Sequence, residues 1–162
     1  STPLYSSAAS MCIRDSENTL KVIKWLSKQK KIVEILYPYK PSSKSYKLWK
    51  KYYSGASGLM SIIIKSKSKS SVYSFVNSLE LFGIGYSWGG YSSLAVYNDP
   101  VEMGDRRFFE LEKNCHLIRI HIGLEDTKDL INDLKRALGC GTKENLDISK
   151  LRYNRIIRSA VT

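Results

Sequence analysis

The chain has 162 residues, of which 43% are hydrophobic and 25% charged, the balance of one soluble globular domain with a single core. Twenty-six Lys and Arg against 15 Asp and Glu leave a formal net charge of +11, which admits either a polyanion-binding surface or a lysine-rich solvated one. No apolar run approaches the roughly 20 residues of a membrane span. There is also no secretory pattern, no zinc-ligand spacing and no Walker loop, and three scattered cysteines form no disulfide framework. A cytoplasmic setting with free thiols is expected.

Residues 1–16 are read as lying outside the fold, either a non-native addition or a disordered leader. The first ten are rich in Ser and Ala without periodicity, and Met11-Cys12-Ile13-Arg14-Asp15-Ser16 resembles translated sequencing adapter. From Glu17 the pattern sharpens. Leu20, Ile23 and Leu26 recur at helical spacing, with Lys21, Lys24 and Lys28 turned away. Residues 33–36 form a short strand that Pro38 and Pro41 terminate. A short helix is expected over 45–51, then a tight loop between Gly55 and Gly58, then a buried strand over 59–64 rich in branched residues.

Val72, Phe75, Val76 and Leu79 fall on one helical face, with Ser70 or Ser71 as the cap and Gly83 and Gly85 as the stop. Two short strands are expected around Gly89 and Gly90, within 86–96. Residues 98–114 read as an exposed polar loop. Over 117–122 the sequence alternates: Ile118, Ile120 and Ile122 face one way, while Leu117, Arg119 and His121 face the other. Leu130, Ile131, Leu134 and Leu138 mark a final helix, capped by Asp126 or Thr127 and ended by Gly139. The tail, 139–162, is basic and weakly periodic, with a weak helix over 146–157. This order of elements implies an α+β fold: a small, mainly antiparallel sheet with helices packed on one face.

Two places carry chemistry. Arg119 sits in an otherwise apolar strand, where an unpaired charge is costly. Either an acid such as Glu125 meets it, or it is a clamp that grips a carboxylate through two parallel hydrogen bonds. His121, two residues on, reads as packing or support rather than as a catalyst. The second place is Tyr86-Ser87-Trp88-Gly89-Gly90-Tyr91. It is either hairpin packing or a sharp turn beside a ligand, where the Ser87 hydroxyl and the Trp88 indole N–H offer donors to an anion.

The string 81–91, LFGIGYSWGGY, followed by 117–126, LIRIHIGLED, resembles the C-terminal domain of the cystathionine β-lyase branch of the Cys/Met-metabolism family of pyridoxal-phosphate enzymes. The likeness runs over 17–138 and includes Leu48-Trp49-Lys50-Lys51 and Ser54-Gly55-Ala56-Ser57-Gly58-Leu59. It implies the C-terminal domain of a fold-type I enzyme, with Arg119 gripping the substrate α-carboxylate and Ser87 and Trp88 completing that pocket. It further implies that pyridoxal 5′-phosphate is bound by a preceding domain, so no catalytic or cofactor-binding residue is assigned here and the segment is expected to be inactive alone. The substrate implied is cystathionine, cleaved by β-elimination to homocysteine, pyruvate and ammonia. The intact enzyme would be a homotetramer in methionine biosynthesis, with no membrane or nucleic-acid partner. Other members of the trans-sulfuration group, γ-synthase or γ-lyase, and a small basic nucleic-acid-binding module are the alternatives. Ser92 departs from the family, which usually has glutamate after the Gly-Gly-aromatic string.

Overall fold

A computed structural model describes residues 5–99 and 110–140, with the side chains of 14–99 and 110–139. Among the described residues, four helices and four strands follow one another. They are α1 (Tyr5–Leu26), β1 (Ile32–Leu36), α2 (Tyr46–Tyr52), β2 (Leu59–Lys65), α3 (Lys69–Asn77), β3 (Leu94–Asn98), β4 (Cys115–His121) and α4 (Thr127–Cys140). None of the helices is long and apolar enough to cross a membrane.

The strands form one antiparallel sheet in the order β1-β2-β4-β3. Cross-strand partners share a face, so Ile62 opposite Ile118 and Met60 opposite Ile120 put the branched residues on one side. Ala95 and Tyr97 of β3 and Ile35 of β1 join them. Against that side pack Val22, Ile23 and Leu26 of α1, Val72, Phe75 and Val76 of α3, and Leu130, Leu134 and Ala137 of α4, all buried. Each helix contributes one apolar stripe at 3.6-residue spacing, which is why one sheet face suffices to bury all three. The opposite face holds only a thin cluster of Ile63, Cys115 and Leu117, backed by Leu36 and Leu111. Arg119 and His121 lie on that second face, in register with Ser61 and Val96 and with Leu59 and Leu94, respectively.

The α+β architecture and its one-sided helices match the expectation from sequence, and four details differ. First, the boundary placed at residue 16 falls inside α1, which runs unbroken from Tyr5. Second, Ser68 rather than Ser70 or Ser71 caps α3, its hydroxyl accepting from the Ser70 N–H at 3.1 Å. That helix also stops at Asn77, well before Gly83. The Asn77 and Ser78 side chains donate to the carbonyls of Tyr73 and Phe75 and so satisfy the last turn. Third, the expected strand pair around Gly89 and Gly90 is a loop, and only β3 forms. Fourth, α4 continues through Gly139. The choice between Asp126 and Thr127 as its cap is settled, because Asp126 Oδ1 accepts from the Lys128 N–H at 2.7 Å. The expected helix over 146–157, and residues 100–109 of the expected polar loop, lie outside the described residues.

Asp15 of α1 is 3% exposed, and its Oδ1 has no hydrogen-bond partner. Burial raises its pKa above the usual 3.8; the nearby His121 and Arg14 oppose that shift and Glu125 reinforces it. A raised carboxylate pKa means that the folded chain holds this proton where the unfolded chain has released it. The penalty is absent below the unfolded value of 3.8, grows as pH rises, and is complete above the folded pKa. Asp15→Asn should therefore remove this loss of stability as pH rises above 3.8, as read by urea unfolding. Asp15→Leu should gain about 1–3 kcal/mol at neutral pH by removing the orphaned oxygen. A wild-type profile no steeper than that of Asp15→Asn would contradict this reading.

Candidate functional site

The sheet face that carries no helix among the described residues and the loop from Tyr86 to Ser93 meet at Arg119. β4 is flanked by β2 and β3, so the Arg119 backbone is fixed on both sides. Its side chain rises from the face without helices and is half-buried. Nη1 donates to the Tyr86 carbonyl at 2.6 Å. The guanidinium carbon lies 5.9 Å from the Tyr86 ring centroid and 5.5 Å from that of Trp88, within cation–π range of both. Among the described residues no carboxylate lies within ion-pair distance of Arg119. The salt bridge to Glu125, one of the two readings of this arginine, is therefore not formed.

Glu125 is occupied elsewhere. Its Oε1 accepts from the Ser93 N–H and its Oε2 from the Ser93 hydroxyl, both at 2.7 Å. The Ser93 Oγ in turn accepts from the Gly123 N–H at 2.9 Å, and the Leu124 N–H donates to the Tyr91 carbonyl at 2.9 Å. This knot pins the end of the loop to the β4–α4 turn. In the segment leading into the loop, Asp133 of α4 accepts from the Glu80 and Leu81 N–H groups at 2.9 to 3.1 Å, and Arg136 supports its carboxylate. Within the loop, His121 Nε2 lies 3.1 Å from the Gly90 carbonyl. Gly89 has φ of 74°, in the left-handed region that a side chain would resist, so the turn depends on glycine there.

The three residues singled out by sequence are thus in one neighbourhood. Arg119 and Trp88 are in ring contact. Ser87, next to Trp88, is exposed and makes no hydrogen bond among the described residues. Trp88 is 67% exposed and Tyr86 58%, so both rings border open space beside the guanidinium. Ser92, the departure from the family pattern, is exposed as well. Sequence reasoning assigned no part to the Tyr86 carbonyl, Ser93 or Asp133. A backbone acceptor has no side-chain signature, and Ser93 and Asp133 act across 32 and 52 residues of chain. A site of this kind can receive a small carboxylate: one rigidly rooted cation with unmet donors, an adjacent indole N–H and a hydroxyl. Among the described residues no cluster of His, Cys, Asp and Glu could hold a metal ion.

A family profile described as Cys/Met metabolism PLP-dependent enzyme matches residues 11–139, beginning inside the span read as a leader. The chain is 39% identical over 120 residues to the cystathionine β-lyase of Escherichia coli, covering 73% of this chain and 30% of that protein. It is 40% identical over 126 residues to the L-alanine/L-glutamate racemase of Wolbachia pipientis, covering 77% and 31%. Among solved structures, a Campylobacter jejuni protein described as an O-acetylhomoserine (thiol)-lyase superposes with a TM-score of 0.64 at 30% identity, over 80% of this chain and 28% of that one. It carries a pyridoxyl-lysine phosphate. The chain spans about 30% of the length of these curated relatives.

Ser93 is the hinge of the knot that holds the loop. Ser93→Ala leaves the buried Gly123 N–H without its acceptor and should cost about 1–3 kcal/mol of stability in urea unfolding. A variant as stable as the parent would show that the Ser93 hydroxyl, with its bonds to Glu125 and Gly123, contributes nothing.

Proposed function

The chain belongs to the Cys/Met-metabolism family of PLP-dependent enzymes, and from that premise we propose that it is the substrate-carboxylate-binding, C-terminal part of a cystathionine β-lyase. The observation that carries this reading is the Arg119 guanidinium: rooted in a central strand, turned to the sheet face without helices, and free of any carboxylate partner among the described residues. Burying or half-burying such a charge is justified when an external anion completes it.

In this reading Arg119 takes the α-carboxylate of the amino acid through its remaining N–H donors, since one Nη1–H is already held by Tyr86. A planar guanidinium fixes both the position and the orientation of a carboxylate. The Ser87 hydroxyl and the Trp88 indole N–H donate from the side. The indole and phenol faces exclude water from one flank of the cation, which strengthens its hold. Holding the carboxylate sets the direction of the Cα–H bond, so that binding does the work of orientation. The residues present therefore fit the substrate end of a pyridoxal-phosphate site, and the lysine that holds the cofactor is assigned to the part of the relatives that this chain does not span. The cofactor, when bound, supplies the electron sink for loss of the Cα proton. Breakage of the Cβ–S bond, followed by hydrolysis with water, then yields homocysteine, pyruvate and ammonia.

A second reading has its own support in the 40% identity to an L-alanine/L-glutamate racemase. Racemisation needs the same carboxylate grip but returns the proton to the opposite face of Cα and breaks no carbon–sulfur bond. The two readings separate by product.

Joined in one polypeptide to the cofactor domain of a relative, the chain should release pyruvate from L-cystathionine and should not convert L-alanine to its D form. Arg119→Lys should lower kcat/KM by about 100-fold, or about 3 kcal/mol of transition-state stabilisation, because a point charge replaces a bidentate fork. The 162-residue chain alone should release none. Unchanged kcat/KM in Arg119→Lys, or pyruvate release by the chain alone, would overturn the assignment.

A further inference from the structure

The loop from Tyr86 to Ser93 is tied at its two ends, at the Tyr86 carbonyl and at Tyr91 and Ser93. Between them lie Ser87, Trp88, Gly89 and Gly90. Among the described residues, one hydrogen bond joins that interior to the rest of the chain: His121 Nε2 to the Gly90 carbonyl at 3.1 Å. We propose that His121 is a positioning residue, whose imidazole holds Gly90 and so sets where Ser87 and Trp88 stand over Arg119. This deepens the carboxylate-clamp reading and rests on it for its function.

The placement of His121 is specific. It is 2% exposed, on the same sheet face as Arg119 and two residues beyond it in β4. A carbonyl only accepts, so Nε2 carries a proton and donates it to Gly90; the neighbouring acid is Asp15, whose carboxyl feels the His121 charge. The His121 Nδ1 is buried and has no partner. An orphaned ring nitrogen is a cost that a leucine in the same place would avoid. The one hydrogen bond the ring makes among the described residues is the one from Nε2, which holds Gly90. The residue just before β2 is also a glycine, packed against the ring. A Cβ on Gly58 would stand 2.9 Å from His121 Cε1, 3.0 Å from Nδ1 and 2.3 Å from the Ile122 carbonyl. A side chain at 58 would thus press on the Ile122 carbonyl first and on the imidazole next, and glycine there leaves the ring its place.

The consequence is a matter of pre-organisation. Arg119 is already rooted by its strand and by the Tyr86 carbonyl. The indole N–H and the serine hydroxyl sit on a loop containing Gly89 and Gly90, the most permissive backbone in the chain. Fixing Gly90, two residues past Trp88, removes the freedom that a ligand would otherwise have to quench on binding.

The test uses the 15N-labelled 162-residue chain and acetate as the carboxylate probe. Backbone order is read at 87–90, and acetate is titrated while following the Arg119 Nε–H and the Trp88 indole N–H. His121→Leu should drop the order parameters of 87–90 below about 0.6 while those of β2 and β4 stay near about 0.85. It should also weaken acetate binding by about tenfold, a loss of pre-organisation. His121→Gln, whose amide N–H reaches the same place, should restore both. His121→Asn, which is too short to reach Gly90, should behave as His121→Leu does and covers the case in which that variant does not fold. Unchanged loop order in the Leu and Asn variants would overturn the proposal. If the parent chain does not bind acetate while the Leu and Asn variants loosen the loop and Gln restores it, His121 keeps this role and the carboxylate-clamp reading is what fails.

Discussion

A single cation on the open face of a four-stranded sheet organises the rest of this structure. Arg119 is placed in β4, between β2 and β3, so its backbone cannot move without breaking two ladders. Its side chain is then aimed by one hydrogen bond to Tyr86 and by two aromatic rings. Rigidity comes from the far side of the sheet, where α1, α3 and α4 bury the main core. The two faces differ: one buries the main core, and the other carries a charge that meets no carboxylate among the described residues.

The same difference explains how the loop is built. A loop rich in glycine over an open sheet face has little apolar contact to hold it, and side-chain hydrogen bonds take that part. Asp133 fixes its approach, Glu125 and Ser93 its exit, and His121 its middle. Two of the three acids and bases involved come from, or just before, α4, so the last helix of the described chain both closes the core and frames the site. The face left without helices among the described residues, the 30% share of its relatives' length and the pyridoxyl-lysine in a structural neighbour are consistent with one another. In the reading proposed above, this segment offers the substrate end of a pyridoxal-phosphate site.

Much of the fold was legible in the sequence because periodicity reports burial directly. The alternation Ile118, Ile120, Ile122 against Leu117, Arg119, His121 assigned both faces of β4 correctly. The stripe Val72, Phe75, Val76, Leu79 found α3 and its core side. What failed depended on contacts that no local pattern encodes. Gly83 and Gly85 looked like a helix stop, but Asn77 and Ser78 close the helix earlier by bonding its last carbonyls. Gly89 and Gly90 looked like a hairpin, yet the backbone there is held by distant side chains and not by a strand partner. Glu125 was placed as one possible partner for Arg119, and only its bond to Ser93, 32 residues away, shows that it serves the loop instead. The neighbourhood of Arg119, Ser87 and Trp88 was anticipated by resemblance alone, since Ser87 and Arg119 are 32 positions apart in the chain and neither motif is specific by itself.

The most direct test is a crystal structure of the 162-residue chain grown with saturating L-cystathionine. The account predicts both α-carboxylate oxygens at about 2.7–2.9 Å from Arg119 guanidinium nitrogens, with the Trp88 indole N–H and the Ser87 hydroxyl turned toward the same group. A ligand bound away from β4, or an Arg119 side chain folded back onto Glu125, would contradict it.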